Sequence, residues 1–271
     1  MAYLYETHLH TSQGSSCGVS RGRDYIKKYR DLGYSGIIVT DHFYGGNCSV
    51  NRNQPWKKWV EEFCRGYEDA YEEGQRRGLD VFFGWEETFE GDDYLIYGLD
   101  KEWLLEHPEA AGWTRRKQFE EVRRNKGCVV QAHPFRQYYY INCVTLSGCV
   151  DAVEAANSGN QRSFDALAWV YAKKLNVPVT AGSDIHSAGD VGRDHVFGVY
   201  FDKKMNSISD YVDAVRNNTI QKLHTKAGRF NIQGDERVSL PVDIRNSRDE
   251  STGTDYIEFL GLSQSVKNIQ Q

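Results

Sequence analysis

The stretch that decides the fold lies at the start of the chain and reads Tyr3-Leu4-Tyr5-Glu6-Thr7-His8-Leu9-His10. Its first five residues are rich in aromatic and apolar side chains, which is typical of a β-strand. Because residues two apart in a strand point to the same face, the imidazoles of His8 and His10 are expected to leave the strand side by side. Two adjacent imidazoles suit one divalent transition metal, although so short a pair also arises by chance among solvated histidines.

Further apolar runs predict more β-strands, and amphipathic segments alternate with them. The predicted strands lie at residues 36–40, 79–85, 94–97, 128–132, 150–155 and 177–182. Helices are predicted at residues 24–32, 55–77, 114–125 and 163–175, and a strand at 196–201 precedes a helix at 209–215. This alternation is typical of a parallel sheet with crossover helices. Polar residues follow the strand ends, which favours closure of about seven strands into an α/β barrel over an open sheet.

The barrel is predicted to occupy residues 1–225 as one domain. A chain of 271 residues is of barrel size, and no Pro/Ser/Gly-rich linker, internal repeat or low-complexity tract divides it. Residues 226–271 are polar and rich in turn-forming residues, so we expect a C-terminal appendage there, with a last strand at residues 256–260.

Composition argues against several classes of partner. The net charge of −5 gives no electrostatic footprint for nucleic acid, and no apolar run is long enough for a membrane span. The start of the chain does not resemble a signal peptide, and the six cysteines form no Cys-x-x-Cys pair. These features predict a protein of the reducing cytoplasm that binds neither nucleic acid nor membrane.

Side chains that can bind metal recur immediately after the predicted strands. They are His8, His10, His42, Glu86, His133, Asp184 and His186. Each alone has an ordinary explanation, as a hydrogen-bonded buried histidine or a helix-capping carboxylate. Since active sites gather at the C-terminal rim of a barrel, all seven are expected to converge there. Seven ligands exceed the needs of one ion, so we predict two or three ions, with Glu86 and Asp184 as candidate bridging carboxylates.

The motifs around these residues resemble those of the polymerase and histidinol phosphatase (PHP) superfamily. They are His8-x-His10, Thr40-Asp41-His42, Gly84-x-Glu86, Ala132-His133-Pro134 and Ser183-Asp184-x-His186. The resemblance implies a distorted (β/α)7 TIM-like barrel, two or three Zn, Mn or Fe ions, and phosphoester hydrolysis. It also implies a first ion held by His8, His10, Glu86 and Asp184, a second that shares Glu86 and uses His133, and a third at His42 and His186.

Two positions depart from the pattern of that family. Its first loop often supplies an Asp or His to the third ion, where this chain has Cys17. A cysteine there can bind metal as a thiolate or remain a buried free thiol. A second expected histidine is replaced by Tyr94, which leaves the second ion short of a ligand. That ion would then be weakly bound, use Asp93 or Tyr94, or be absent.

The expected reaction is hydrolysis of a small phosphorylated metabolite or nucleotide by a metal-activated hydroxide. Phosphate oxygens need hydrogen-bond donors, and Arg136 follows His133 closely enough to supply them. Arg162 and Arg23 are further candidates for substrate binding, although surface arginines commonly form ion pairs instead.

Two more residues are candidates for catalytic support. His195 follows the last ligand pair and can protonate the leaving group, although a lone histidine is more often structural. Asp41 is expected to orient His42 rather than to bind metal itself.

Two other functions fit parts of the pattern. Amidohydrolase-type C–N hydrolases also open with a His-x-His strand, but they usually need a bridging lysine at a strand end, and no lysine follows a predicted strand before His133. A non-catalytic, metal-stabilised module of a larger assembly is the second alternative. A bridging Glu86 favours the phosphoesterase over the first alternative, and the nearly full set of ligands favours it over the second.

Overall fold

The structure is a computed structural model that describes residues 2–192, 196–233 and 236–262. Its strands are β1 (Tyr3–Glu6), β2 (Gly36–Val39), β3 (Asp80–Phe89), β4 (Asp92–Tyr97), β5 (Cys128–Gln131), β6 (Val144–Leu146), β7 (Ala152–Asn157), β8 (Val179–Gly182), β9 (Gly198–Phe201), β10 (Lys222–His224) and β11 (Val242–Ile244). Its α-helices are α1 (Gly22–Asp31), α2 (Trp56–Phe63), α3 (Arg65–Arg77), α4 (Lys101–Glu106), α5 (Arg115–Arg124), α6 (Arg162–Leu175), α7 (Ile208–Arg216) and α8 (Tyr256–Leu260), and a 3-10 helix covers Pro108–Gly112.

The main sheet curls into a nearly closed barrel. Its strands follow the order β10-β9-β1-β2-β3-β4-β5-β7-β8. The barrel closes between β1 and β8, where Leu9 and Ile185, just beyond these strands, form a parallel bridge. The Thr7 hydroxyl also donates to the carbonyl of Ala181 at 2.8 Å. Every predicted strand from 3–7 to 177–182 forms, and the predicted α/β barrel is confirmed.

Strand β4 is the main irregularity of the barrel. It runs antiparallel to both β3 and β5, whereas β1, β2 and β3 are mutually parallel. The turn between β3 and β4 places Glu90 and Gly91 at φ of 56° and 98°, a region that glycine adopts readily. Because β4 is reversed, its first residues, Asp92 and Asp93, lie at the rim where the parallel strands end.

The long helix predicted at residues 55–77 is divided into α2 and α3. The division at Cys64 lies beside a close approach of Gly66 to the first loop, since a Cβ on Gly66 would come 2.0 Å from the Thr11 hydroxyl oxygen. Helix α3 ends at Gly78 in a left-handed conformation, as the sequence predicts.

The prediction of a strand at residues 256–260 is wrong, because this segment is the helix α8. The Asp255 carboxylate accepts hydrogen bonds from the backbone of Ile257 and Glu258, and Gly261 ends the helix in a left-handed conformation. Nearby, β11 pairs in parallel with β6, and Leu260 packs in a cluster with Leu167 of α6. These segments therefore lie against the barrel.

Aromatic side chains fill much of the space between α2 and the barrel. Phe43 lies 5.2 Å from Trp59, 5.4 Å from Phe63 and 5.3 Å from Trp85, measured between ring centroids. Such contacts add to the stability gained by burying the rings. Among the described residues, no helix combines the length and apolar character that crossing a bilayer requires.

Candidate metal centre

The seven predicted ligands converge at the C-terminal rim of the barrel. His8 and His10 follow β1, His42 follows β2, Glu86 lies in β3, His133 follows β5, and Asp184 and His186 follow β8. All but His42 and His186 have side chains that are almost completely buried. Residues from five strands thus share one small volume, as parallel strands that end at a common rim require.

Glu86 is the centre of the cluster. Its Oε1 lies 3.2 Å from Nε2 of His8 and 3.2 Å from Nε2 of His133. Its Oε2 lies 3.0 Å from Nδ1 of His42 and 3.4 Å from Nε2 of His10. One carboxylate therefore faces four imidazoles with its two oxygens turned toward different pairs, which is the arrangement of a bridging ligand.

Among the residues that the structure describes, three sets of side chains have donor atoms close enough to hold an ion. They are His8 with His10 and Asp184, His8 with Glu86 and His133, and His10 with His42 and His186. Within each set the donor atoms lie within 4.8 Å of one another. These sets resemble the three groups that the sequence motifs imply.

The hydrogen bonds of three histidines direct their Nε2 atoms into the cluster. The Nδ1 of His8 donates to Oε1 of Glu154 at 3.0 Å, and the Nδ1 of His186 donates to the carbonyl of Asp184 at 2.9 Å. The Nδ1 of His10 donates to the Ser15 hydroxyl at 3.1 Å. The Nε2 atoms of His8 and His10 then face each other at 3.0 Å. Such facing acceptors suit a shared cation.

Two buried polar atoms of the cluster have no hydrogen-bond partner. They are Oε2 of Glu86 and Nδ1 of His42, which face each other without hydrogen-bond geometry. Buried polar atoms are almost always satisfied, so these two suit coordination by an ion. The residues present therefore fit a cluster of divalent ions.

The charges in the cluster also favour cations. Burial lowers the pKa of His8, but Asp184, Glu154 and Glu86 raise it well above its ordinary value. Burial and the neighbouring His186 and His42 lower the pKa of His10. The potential that holds a proton on His8 also attracts a metal ion, so metal binding at His8 competes with protons.

Two candidate ligands adopt left-handed backbone conformations that non-glycine residues seldom take. The φ angle is 54° at Asp184 and 28° at His133. Both are held by backbone hydrogen bonds, from Asp184 to the carbonyl of His8 at 2.8 Å and from His133 to Oε2 of Glu154 at 3.0 Å. Strain of this kind concentrates at functional sites, where the surrounding structure fixes side-chain direction.

Comparisons with known proteins agree with this fold. A family model described as PHP-associated (PHP_C) matches residues 164–220. A two-domain protein from Bacteroides vulgatus that contains a predicted PHP-like metal-dependent phosphoesterase superposes with a TM-score of 0.53 at 15% identity, over 80% of this chain and 63% of that chain. Residues 164–220 are thus similar to a PHP-associated segment, and the fold is similar to that of a PHP-like protein.

Two further solved structures are similar to this chain at lower TM-scores. A candidate metal-dependent phosphoesterase from Bifidobacterium adolescentis gives a TM-score of 0.47 at 16% identity, over 71% of this chain and 92% of that chain. An amidohydrolase from Chromobacterium violaceum, with bound sulfate and no metal, gives 0.47 at 13% identity, over 84% of this chain and 99% of that chain. No curated protein matches the sequence.

Glu154, in β7, is a functional residue that sequence reasoning did not select. Its buried carboxylate accepts hydrogen bonds from His8 Nδ1, from the His133 amide and from Asn157 Nδ2. It thus orients one candidate ligand ring and the backbone of a second candidate ligand. A Cβ on Gly182 would come 2.6 Å from its Oε1, so a side chain at position 182 would clash with this carboxylate. In the sequence, the signal for this role is a single carboxylate within the otherwise apolar run 152–156.

The structure distinguishes between the residues proposed to complete the ligand set. Asp93 faces the cluster, with Oδ2 lying 3.7 Å from Nε2 of His133. Tyr94 is buried in the apolar core beside Arg115, whose guanidinium carbon lies 5.5 Å from its ring centroid. Burial raises the pKa of the Cys17 thiol, but hydrogen bonds with His186 and His42 lower it to about 6. Asp93 and Cys17 are therefore placed to bind an ion, and Tyr94 is not.

Asp41 contacts Ser15 rather than the ring of His42, which corrects the predicted contact. Its Oδ1 accepts from the Ser15 hydroxyl at 2.7 Å, and both of its oxygens accept from Thr11 at 2.6 Å. The Ser15 hydroxyl in turn accepts from His10 Nδ1. Asp41 therefore supports His10 through Ser15, because a hydroxyl that donates to a carboxylate must accept from the imidazole.

The remaining predicted residues differ in their distance from the centre. Arg136 lines the cavity and donates to Oδ2 of Asp184 at 2.6 Å. Arg162 pairs with Glu236 and Arg23 pairs with Asp69, and neither lines the cavity. His195 lies outside the described residues.

Candidate ligands, among them His42, Glu86 and His133, line a cavity of about 840 Å³. Arg136, Asn160 and Gln161 line the same cavity, as do three consecutive tyrosines, residues 138–140. A cavity of this size accommodates a small organic molecule.

Proposed function

We propose that this protein is a member of the PHP superfamily and hydrolyses phosphoesters with two or three divalent ions, of Zn, Mn or Fe, held in the cluster. The observation that carries the proposal is the position of Glu86, one carboxylate that faces four imidazoles at the floor of a cavity. When bound, clustered divalent ions lower the pKa of water and neutralise the charge that develops on phosphoryl oxygens. His8, His10, Glu86 and Asp184 would hold one ion, with His133 and Asp93 completing a second, and His42, His186 and Cys17 a third.

The protein's own groups orient the ligands and bind the phosphate. Glu154 and Ser15 hold His8 and His10 in the tautomers that leave Nε2 free. Arg136 contributes positive charge at the floor of the cavity, where its three protein hydrogen bonds leave part of its five-donor fork for a phosphate oxygen. His195 remains our prediction for the acid that protonates the leaving group.

Features of the cavity support phosphorus chemistry over cleavage of C–N bonds. No lysine is among its described lining residues, and the central position between the histidines is occupied by Glu86. All six cysteines are free thiols, which supports our proposal of a reducing, cytoplasmic location.

The proposal is tested with protein that has been stripped by chelation and reloaded with Mn or Zn. We expect elemental analysis to give two or three ions per chain, and p-nitrophenyl phosphate or its diester to be hydrolysed only by the loaded protein. His10→Ala should abolish hydrolysis, whereas His224→Ala, a matched change in β10 away from the cluster, should not. Circular dichroism would verify that both variants are folded.

The two alternatives give different results in the same experiment. A fully loaded protein that is inert toward a broad phosphoester panel would indicate a non-catalytic module. Cleavage of C–N bonds without phosphoester hydrolysis would indicate an amidohydrolase. Either result would overturn the proposed phosphoesterase.

A further inference from the structure

Three consecutive tyrosines form an exposed aromatic cluster at the mouth of the cavity. Tyr138, Tyr139 and Tyr140 are 56%, 90% and 51% exposed. Their ring centroids lie 4.9 Å, 5.0 Å and 5.4 Å apart, so the rings contact one another. All three line the cavity whose floor is the metal centre. Exposed aromatic surface of this extent commonly marks a binding site.

The tyrosine cluster is anchored at both of its ends. On one side, Oε1 of Gln137 accepts hydrogen bonds from the amides of Ser239 and Leu240 at 2.9 Å and 3.3 Å. On the other side, Ile141 is buried, and its amide donates to the carbonyl of Tyr138 at 3.0 Å. The backbone that carries the rings is therefore held against the protein, which lowers the entropic cost of binding a ligand there.

The tyrosine cluster shares its cavity with the candidate metal ligands Glu86, His133 and Asp184. Tyr139 is the most exposed of the three rings. A phosphate at the floor would place the rest of its molecule along these rings.

We propose that the tyrosine cluster binds a planar aromatic ring of the substrate, so that the enzyme prefers phosphoesters of nucleosides or aryl alcohols over those of sugars and polyols. Aromatic side chains stack on any planar π-system, and the amide of the exposed Gln161, which lines the same cavity, can bond to a base edge. The cavity volume of about 840 Å³ and the net charge of −5 favour a small molecule over a nucleic-acid strand. Only the kinetic test of this inference, its catalytic arm, rests on the proposed phosphoesterase activity; the binding test does not.

The catalytic arm compares kcat/KM for adenosine 5′-monophosphate, phenyl phosphate and glycerol phosphate in the metal-loaded protein. Tyr139→Ala should lower the ratio of the ring substrates to glycerol phosphate by about tenfold, mainly through KM, as expected for a lost stacking contact. Tyr139→Phe keeps the ring and should keep the ratio. Tyr71→Ala, which removes an exposed tyrosine outside the cavity, is the matched control. An unchanged ratio in Tyr139→Ala would overturn the proposal.

The binding arm needs neither metal nor turnover. Saturation-transfer NMR of the chelated protein with adenosine 5′-monophosphate should saturate the base protons more than the ribose protons, and Tyr139→Ala should remove this difference. Equal saturation of base and ribose would refute the ring subsite. If no phosphoester is hydrolysed but the base protons are saturated, the ring subsite stands and the proposed catalytic function falls.

The two ring compounds separate the sources of the aromatic group. Equal losses for adenosine monophosphate and phenyl phosphate in Tyr139→Ala would assign recognition to the ring alone. A preference confined to adenosine monophosphate would support a nucleotide substrate whose base edge contacts the amide of Gln161.

Discussion

Glu154 offers the sharpest test of how the metal centre is built, through the substitution Glu154→Gln. Oε1 of Glu154 accepts from Nδ1 of His8 at 3.0 Å, and Oε2 accepts from the His133 amide at 3.0 Å and from Asn157 at 2.8 Å. A glutamine keeps the most bonds when its oxygen replaces Oε2, which turns its NH2 group toward His8. His8 must then accept at Nδ1 and carry its proton on Nε2, the atom that should bind metal.

The expected size of the effect follows from these contacts. Loss of the partner that orients a ligating histidine typically lowers metal affinity by about 10- to 100-fold. Apart from metal binding, the less favourable hydrogen bonding of a buried site should lower the free energy of unfolding by about 1–3 kcal/mol. Glu154→Gln should therefore lower the metal affinity in addition to lowering the free energy of unfolding of the apo-protein.

The assay is competition for Zn or Mn against a fluorescent chelator, with urea unfolding of the chelated protein alongside. Asp151→Asn is the matched control, because Asp151 precedes the same strand at its opposite end and accepts from the Val129 amide at 3.0 Å. It should lower stability and leave metal affinity within about twofold of the unaltered protein. Native affinity in Glu154→Gln, or an equal loss of affinity in both variants, would refute the reasoning.

Three further predictions concern other parts of the molecule. Ser15→Ala removes the hydroxyl that accepts from Nδ1 of His10, so it should lower metal affinity about tenfold in the same competition assay. An unchanged affinity would show that Ser15 does not fix the tautomer of His10. Burial raises the pKa of Asp165 from 3.8 to about 6, so the folded chain binds its proton more tightly and the free energy of unfolding should fall as pH rises from about 4 to 6. In urea titrations of chelated protein, Asp165→Asn should make this fall shallower, and an equal slope would contradict the assignment. Asp249→Asn keeps the shape of the side chain, and asparagine tolerates the φ of 61° at this position. The change leaves the buried Arg115 without its closest carboxylate, so the free energy of unfolding should fall by about 2 kcal/mol. Equilibrium denaturation would detect or exclude this loss.

The sequence predicted the parts of the fold that depend on local patterns. Apolar runs predict strands, and ligands that follow different strands, such as His42 and His133, must meet if those strands share a rim. The roles of Glu154 and Ser15 could not be read in this way. Each depends on which distant side chain lies within hydrogen-bond reach, and that is set by strand register and loop conformation.

Other features were misjudged because tertiary contacts override local preference. The apolar residues 256–260 resemble a strand, yet the cap at Asp255 and packing against α6 make them helical. The antiparallel course of β4 brings Asp93 to the rim, which an alternation of strands and helices does not predict. Aromatic residues occupy both the packed core and the cavity, as Trp59 and Tyr139 show.

Strand β11 pairs with β6, and the amides of Ser239 and Leu240 donate hydrogen bonds to Gln137. The loop that carries the three tyrosines is braced by residues late in the chain, whereas the histidines and carboxylates are braced by the barrel. Substitutions in the late segment can therefore retune what is recognised while the inorganic chemistry stays intact. Engineering of new selectivity would best begin there.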